Sequence, residues 1–231
     1  MATPVLHYHP LSSYCHKVLI ALDVLGVSVE KRLLDLMDPA ERAAFLALWP
    51  VGKMPLLVDE GRAIPEASVI IEHAQRQHAR NGQALIPTDP DAALEVRLWD
   101  RVFDLYVMTP MQAFTADLLR PEGERDARGV DQARERLLST YALIDGHLRA
   151  SNRTWVAGDT FSLADCAAAP ALFYAVTYVP LPSPHAHLAA YFDRLMEHPA
   201  VVRTIDQARP WFRFYPGRAG LAPRFFDPAA G

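Results

Sequence analysis

The chain has 231 residues, 51% of them hydrophobic and 22% charged, and a formal net charge of −4. That balance supports a sizeable buried core and excludes a disordered chain, while the mild acidity excludes a general electrostatic pull toward nucleic acid or anionic membrane. Two cysteines, Cys15 and Cys166, suit a reducing compartment better than a disulfide scaffold; with no signal pattern and no apolar run of transmembrane length, a cytoplasmic protein is expected.

Val5 to Tyr8 reads as a strand. From Cys15 the apolar residues Val18, Leu19, Leu22 and Leu25 form a helical stripe closed by Gly26. Val27 to Leu36 reads as a second strand, and Pro39-Ala40-Glu41 opens a short helix ending near Trp49-Pro50. Met54 to Val58 and Ala63-Ile64 flank Asp59-Glu60-Gly61-Arg62, a hairpin signal, and a helix follows from Ala67 to His78. The order βαβαββα defines a compact α/β unit over residues 1–79.

Arg80-Asn81-Gly82 and Pro87-Thr88-Asp89-Pro90 bound a linker over 80–90. Residues 91–231 read as an all-helical domain with an irregular tail. Leu94, Leu98, Val102 and Leu105 predict the apolar stripe of one long helix, and Ala133, Leu137, Tyr141, Ile144 and Leu148 that of another. In Phe161-Ser162-Leu163-Ala164-Asp165 the serine is placed as N-cap and the aspartate as a shortened capping-box acid. Pro170 lies inside that helix, His187 to Leu195 forms a further one, and the stretch from Arg209 is rich in Pro and aromatics without a period.

Four segments carry a family resemblance. Ser12-Ser13-Tyr14-Cys15-His16-Lys17-Val18 looks like the catalytic segment of serine-type glutathione transferases (tau, zeta, theta). Trp49-Pro50-Val51-Gly52-Lys53-Met54-Pro55 is similar to the turn that precedes a cis-proline in that family, with Trp49 in place of its Asn. Pro65-Glu66-Ala67-Ser68-Val69-Ile70-Ile71-Glu72 is similar to the family's Glu-Ser-x-x-Ile helix start, with Ala67 in place of the Ser. Phe161 to Asp165 looks like its C-terminal-domain capping motif. Together, in order and at the family's spacing, they resemble a cytosolic glutathione S-transferase of the bacterial, serine-type kind: a thioredoxin-like N-terminal domain followed by an all-α domain.

The resemblance implies that Ser12 donates a hydrogen bond to the glutathione sulfur, with Ser13 and Tyr8 as alternates one alignment slip away. A free thiol of pKa about 8.5 is only about 3% ionised at pH 7, and lowering that pKa by about two units needs roughly 2.7 kcal/mol. One hydrogen bond to a charged group supplies roughly 1.5–3 kcal/mol, and a helix N-terminus adds about 0.3–1. Ser12 is equally the type of residue that simply caps a helix. Lys53, Met54, Glu66 and Ala67 are placed against the tripeptide: the Met54 backbone as an added strand, Lys53 and Glu66 as charges, and Ala67 through its N–H. Ser68 is the neighbouring hydroxyl that can replace the one missing at position 67.

The second substrate, a small hydrophobic electrophile, is expected between the domains against Leu11, Tyr106 and Thr109. The aromatics Trp211, Phe212, Phe214 and Tyr215 either roof that pocket or pack on the helices. Cys15 falls on the apolar face and reads as core rather than nucleophile. His7 with His9, and His185 with His187, lack an accompanying acid–cysteine cluster, so no metal is expected. The arginine-rich runs at 125–128 and 134–136 read as solvated helix faces. The expected activity is conjugation of glutathione, as co-substrate, to the electrophile in a detoxification role by a homodimer without nucleic-acid or membrane partners. Asp100 or Asp104 is a secondary candidate to reach the partner's glutathione. A glutathione-dependent reductase, dehalogenase or isomerase, or a non-catalytic binding protein, is the alternative on the same fold.

Overall fold

The computed structural model describes residues 3–79, 82–151 and 153–226; Arg80 and Asn81 of the expected linker lie outside them. The N-terminal unit runs β1 (Val5–Tyr8), α1 (Ser13–Val24), β2 (Glu30–Leu33), α2 (Pro39–Leu48), β3 (Leu56–Asp59), β4 (Arg62–Pro65) and α3 (Ala67–Gln77). The sheet order is β2-β1-β3-β4, with β1 parallel to β2 and antiparallel to β3. The βαβ crossover through α1 makes the first pair parallel, and the tight Glu60-Gly61 turn makes β3 and β4 a hairpin. β2 is shorter than expected. Its residues are all exposed at the sheet edge, and Val27 to Val29 lie in the approach to it.

The helical unit contains α4 (Pro90–Val102), a π-helical segment (Phe103–Met108), α5 (Thr109–Leu118), α6 (Ala127–Ser151), α7 (Leu163–Ala175), α8 (Ala186–Glu197) and α9 (Pro199–Ala208). Helix α7 is buried along its whole length, and α1, α4 and α8 pack around it. Its start is organised by Asp165, which accepts from the Ser162 N–H and hydroxyl (both 2.9 Å), the Val156 N–H (3.2 Å) and the Tyr191 hydroxyl (2.6 Å). These four donors meet the requirement that a fully buried carboxyl be hydrogen-bonded.

The stripe expected on α6 is buried throughout, from Ala133 to Leu148. The stripe expected on the long helix is not. Leu94, Leu98 and Leu105 are exposed, and only Val102 of that set is buried. Helix α4 instead turns Ala93, Val96 and Trp99 inward, and the π-helical segment continues with Phe103 and Val107. A turn with i→i+5 bonding shifts the helical phase, so a single 3.6-residue stripe does not run through it.

Beyond α9, the tail divides. Phe212 is buried against Phe173 (ring centroids 5.7 Å), Trp211 lies edge-on to His9 (5.2 Å), and Phe214 is exposed. Among the described residues, no helix is long and apolar enough to cross a membrane.

Candidate active site

The loop from β1 into α1 is held from both sides. The Leu11 N–H donates to His9 Nδ1 (3.1 Å), the Ser12 N–H donates to the His9 carbonyl (3.0 Å), and the buried His16 ring meets the Pro10 carbonyl through Nε2 (2.6 Å). Burial pushes the His16 pKa down to about 4, so its neutral ring donates Nε2–H to Pro10. Ser12, in extended conformation, is the N-cap of α1, and its Oγ accepts from the Cys15 N–H at 3.3 Å. That bond uses a lone pair and leaves the hydroxyl proton available. Capping and donating to a substrate atom are therefore compatible in one residue.

Ser12 stands on the wall between two cavities. The larger, about 710 Å³, is lined by Lys53, Met54, Glu66, Ala67 and Ser68 from the N-terminal unit and by Arg101 and Asp104 from the helical one. The four residues proposed from sequence for the tripeptide thus lie on one surface with Ser12. The Met54–Pro55 peptide is cis. Met54 precedes the first ladder pair of the hairpin, Leu56 with Pro65, so its backbone lies outside the sheet's own pairing. Glu66 has φ 71° and ψ 119° and no capping bond from its side chain. A non-glycine residue in that region stores about 1–3 kcal/mol of strain, which the surrounding fold must hold. The effect is to start α3 abruptly at Ala67, with its first N–H groups toward the cavity.

The floor of this cavity is an ionic cluster. Lys17 is fully buried; its Nζ lies 2.5 Å from Asp100 Oδ1 and 2.7 Å from Asp104 Oδ2, and it donates to Ser68 Oγ at 3.0 Å. Ser68 donates to Asp100 Oδ2 (2.9 Å), and Arg101 donates to Ser68 and to both aspartates. The Ser68 hydroxyl proton is therefore committed here, which removes it as a substitute for the hydroxyl missing at Ala67. Burial pushes the Asp104 carboxyl up against the opposing pull of Lys17, and its Oδ1 has no hydrogen-bond partner among the described residues. Sequence reasoning missed Lys17 and Arg101. The available signal was Asp100-Arg101-x-x-Asp104 on a helix, with a lysine on the otherwise apolar face of α1.

The second cavity, about 430 Å³, lies on the other side of Ser12, against Leu11, Met111, Leu119, Tyr174 and Phe214. Leu11 is there as expected, and of the tail aromatics Phe214 and Tyr215 reach it. Tyr106 is more than half exposed and lines neither cavity. Thr109 also lies outside both, its hydroxyl donating to the Asp104 carbonyl at 3.0 Å. Leu105 and Gln112 occupy the corresponding wall of the larger cavity, because the π-helical segment rotates Tyr106 outward. Of the alternates, Ser13 lines the second cavity and Tyr8 lines neither. Tyr14, not considered from sequence, lines the larger one; burial pushes its phenol up to about 12. Cys15 is fully buried, and burial pushes its thiol up to about 11, so it is protonated at neutral pH and closed to solvent.

The chain that carries this site, a thioredoxin-like sheet joined to a helical unit, is similar to known proteins. Residues 6–82 match the family model "Glutathione S-transferase, N-terminal domain", and residues 101–199 match "Glutathione S-transferase, C-terminal domain". Glutathione S-transferase 3 of Zea mays is 31% identical over 214 residues, covering 89% of this chain and 94% of the relative. A crystal structure of a glutathione S-transferase from Methylobacillus flagellatus with GSH bound superposes with a TM-score of 0.78 at 26% identity, covering 87% of this chain and 98% of that one. A probable maleylacetoacetate isomerase of Caenorhabditis elegans is 24% identical over 209 residues, covering 90% of this chain and 95% of the relative. The chain belongs to the glutathione S-transferase family of enzymes.

Proposed function

We propose that this enzyme conjugates glutathione to a small hydrophobic electrophile, with Ser12 donating a hydrogen bond to the thiolate. The observation that carries this reading is the position of Ser12 between a polar cavity and a more apolar one. A sulfur held at that boundary faces the second substrate. In the polar cavity the Met54 backbone pairs with the cysteinyl unit, and Lys53 meets the glycyl carboxylate. The γ-glutamyl ammonium lies by Glu66, with Asp104 of the same chain on the same cavity wall. The γ-glutamyl carboxylate takes the N–H groups that open α3, and Arg101 supplies the contact that the Ala67 side chain lacks. We place the homodimer contact on the exposed apolar residues Val69, Leu94, Leu98 and Leu105.

In the reaction, loss of the thiol proton to solvent leaves a thiolate stabilised by the Ser12 O–H and by the first turn of α1. It then attacks the electrophilic carbon presented from the second cavity, forming a C–S bond as the leaving group departs with its bonding pair, chloride in the case of a chloronitrobenzene. Ser12→Ala is expected to lower kcat/KM toward a chloronitrobenzene roughly 10- to 150-fold, the equivalent of a hydrogen bond of about 1.5–3 kcal/mol to a charged group. Retention on glutathione resin should persist, while the thiol pKa of bound glutathione, read from thiolate ultraviolet absorbance, should rise. Unchanged turnover and an unchanged thiol pKa would remove Ser12 from the mechanism. The likeness to a probable isomerase supports a second reading, glutathione-dependent isomerisation; turnover of a cis-enone diacid without net consumption of glutathione would select it.

A further inference from the structure

At the far ends of β3 and α3 from the glutathione residues, Asp59, His73 and His78 converge. Both imidazole Nε2 atoms point at one carboxylate oxygen, Asp59 Oδ2, at 2.7 Å from His73 and 2.6 Å from His78. The other oxygen, Oδ1, is buried and has no hydrogen-bond partner among the described residues, although Asp59 is only 7% exposed. Here one side is crowded and the other is empty.

We propose that Asp59, His73 and His78 bind a borderline divalent transition-metal ion, with zinc the first candidate. Two imidazoles and one carboxylate are the donor set that such ions take, with remaining positions filled by water. One ligand atom from each residue lies within 4.8 Å of the others. A tetrahedral ion with bonds of about 2.0–2.2 Å holds its ligands about 3.4 Å apart, so small side-chain rotations are enough. Each imidazole binds the ion through an Nε2 whose proton has passed to solvent, while Nδ1 keeps or takes up one, so the bound ring is neutral. The ion then replaces two hydrogen bonds with three coordinate bonds, two from imidazole nitrogens and one from the carboxylate, which keeps its charge.

The surroundings favour a cation. His78 is the C-cap of α3, at the negative end of the helix dipole. His73 opens onto a cavity of about 370 Å³ that has room for water ligands. Arg62 and Arg76 on its rim are exposed, so their repulsion is screened by solvent. None of the three residues lines the glutathione cavity, so this proposal is independent of the function above. The ion would clamp the C-terminal end of α3 to the end of β3. The histidine pairs singled out from sequence were different ones; His185 and His187 instead flank Asp145, which caps α8 by accepting from the His187 and Leu188 N–H groups.

The test is titration of the full chain, stripped with chelator, with Co²⁺ followed by competition with Zn²⁺. One Co²⁺ per chain with visible d–d bands, displaced by Zn²⁺, is expected. His73→Gln and His78→Gln retain an N–H donor for Asp59, and each should weaken Zn²⁺ binding by at least about tenfold. Binding below a tenth of an equivalent, or a smaller loss in both variants, overturns the proposal. If a variant fails to fold, histidine ¹⁵N resonances of the parent chain decide. Zn²⁺ must shift His73 and His78, and shifts confined to the other histidines overturn the assignment.

Discussion

His16 and Lys17 are neighbours on α1, both almost wholly buried, and they meet the cost of burial in opposite ways. His16 sits in a neutral region: burial holds its pKa near 4, and the uncharged ring secures the Pro10 carbonyl behind Ser12. Lys17 sits in an ionic region, among two carboxylates, a hydroxyl and a guanidinium. A buried ionisable group either gives up its charge or is paired. The first device shapes the loop that presents the proposed thiolate donor. The second fixes α1 and α3 to α4 and leaves one buried carboxylate oxygen, Asp104 Oδ1, without a hydrogen-bond partner among the described residues.

The sharpest way to break this contrast is Lys17→Met. It leaves Asp100 and Asp104 with a half-exposed arginine as the cluster's one remaining cation, and denaturant unfolding should show a loss of about 3–5 kcal/mol. A loss under 1 kcal/mol would mean that water already reaches the cluster. The neutral region is probed by acid. Because the folded pKa of His16 is near 4 and the ordinary value is 6.5, the unfolded chain takes up the proton first as pH falls. The stability this contributes is complete above pH 6.5 and is lost progressively toward pH 4, by of order 3 kcal/mol. His16→Gln, compared with the parent across that window, should remove this part of the slope.

Asp104→Asn tests the cluster's binding role, with denaturant unfolding of the same variant reporting the structural part that its contacts to Lys17 and Arg101 carry. We expect KM for glutathione to rise roughly tenfold or more with kcat changed less, since a charge-assisted bond is worth about 1.5–3 kcal/mol. A pure fall in kcat would place Asp104 elsewhere in the mechanism. The smallest effect is expected where charge is not buried. Arg97 and Glu72 form a two-point ion pair at the surface, and Arg97→Gln should cost less than about 1 kcal/mol by the same denaturant measurement.

Much of the fold was legible because its signals are short-range. The ends of β1, α2 and α3, the glycine turn of the hairpin and the serine–aspartate helix start are set within a few residues of chain. The same is true of Ser12, whose capping position depends on its immediate neighbours. The exposed leucines of α4 show where this fails. Leu94 and Leu98 share a face of α4, but which face is buried was decided by α7, which comes more than sixty residues later, and Leu105 lies past α4 in the π-helical segment. The short β2 and the outward turn of Tyr106 likewise depend on the sheet edge and on a π-helical segment that no periodicity announces.

The chain alone therefore determined the βαβαββα order, the helical second half and Ser12 as a helix cap; the cis-proline turn after Met54 came from the family resemblance, and the left-handed backbone of Glu66 appeared only in the structure. Only the tertiary structure joined Lys17 to Asp104 across 87 positions of sequence, committed the Ser68 hydroxyl, and turned Arg101 toward the cavity. The physical reason is one of range. Caps, turns and periodicity act through bonds made within a turn or two of chain. Charge pairing and burial depend on which distant segments are brought together, and that is settled only when the whole core closes.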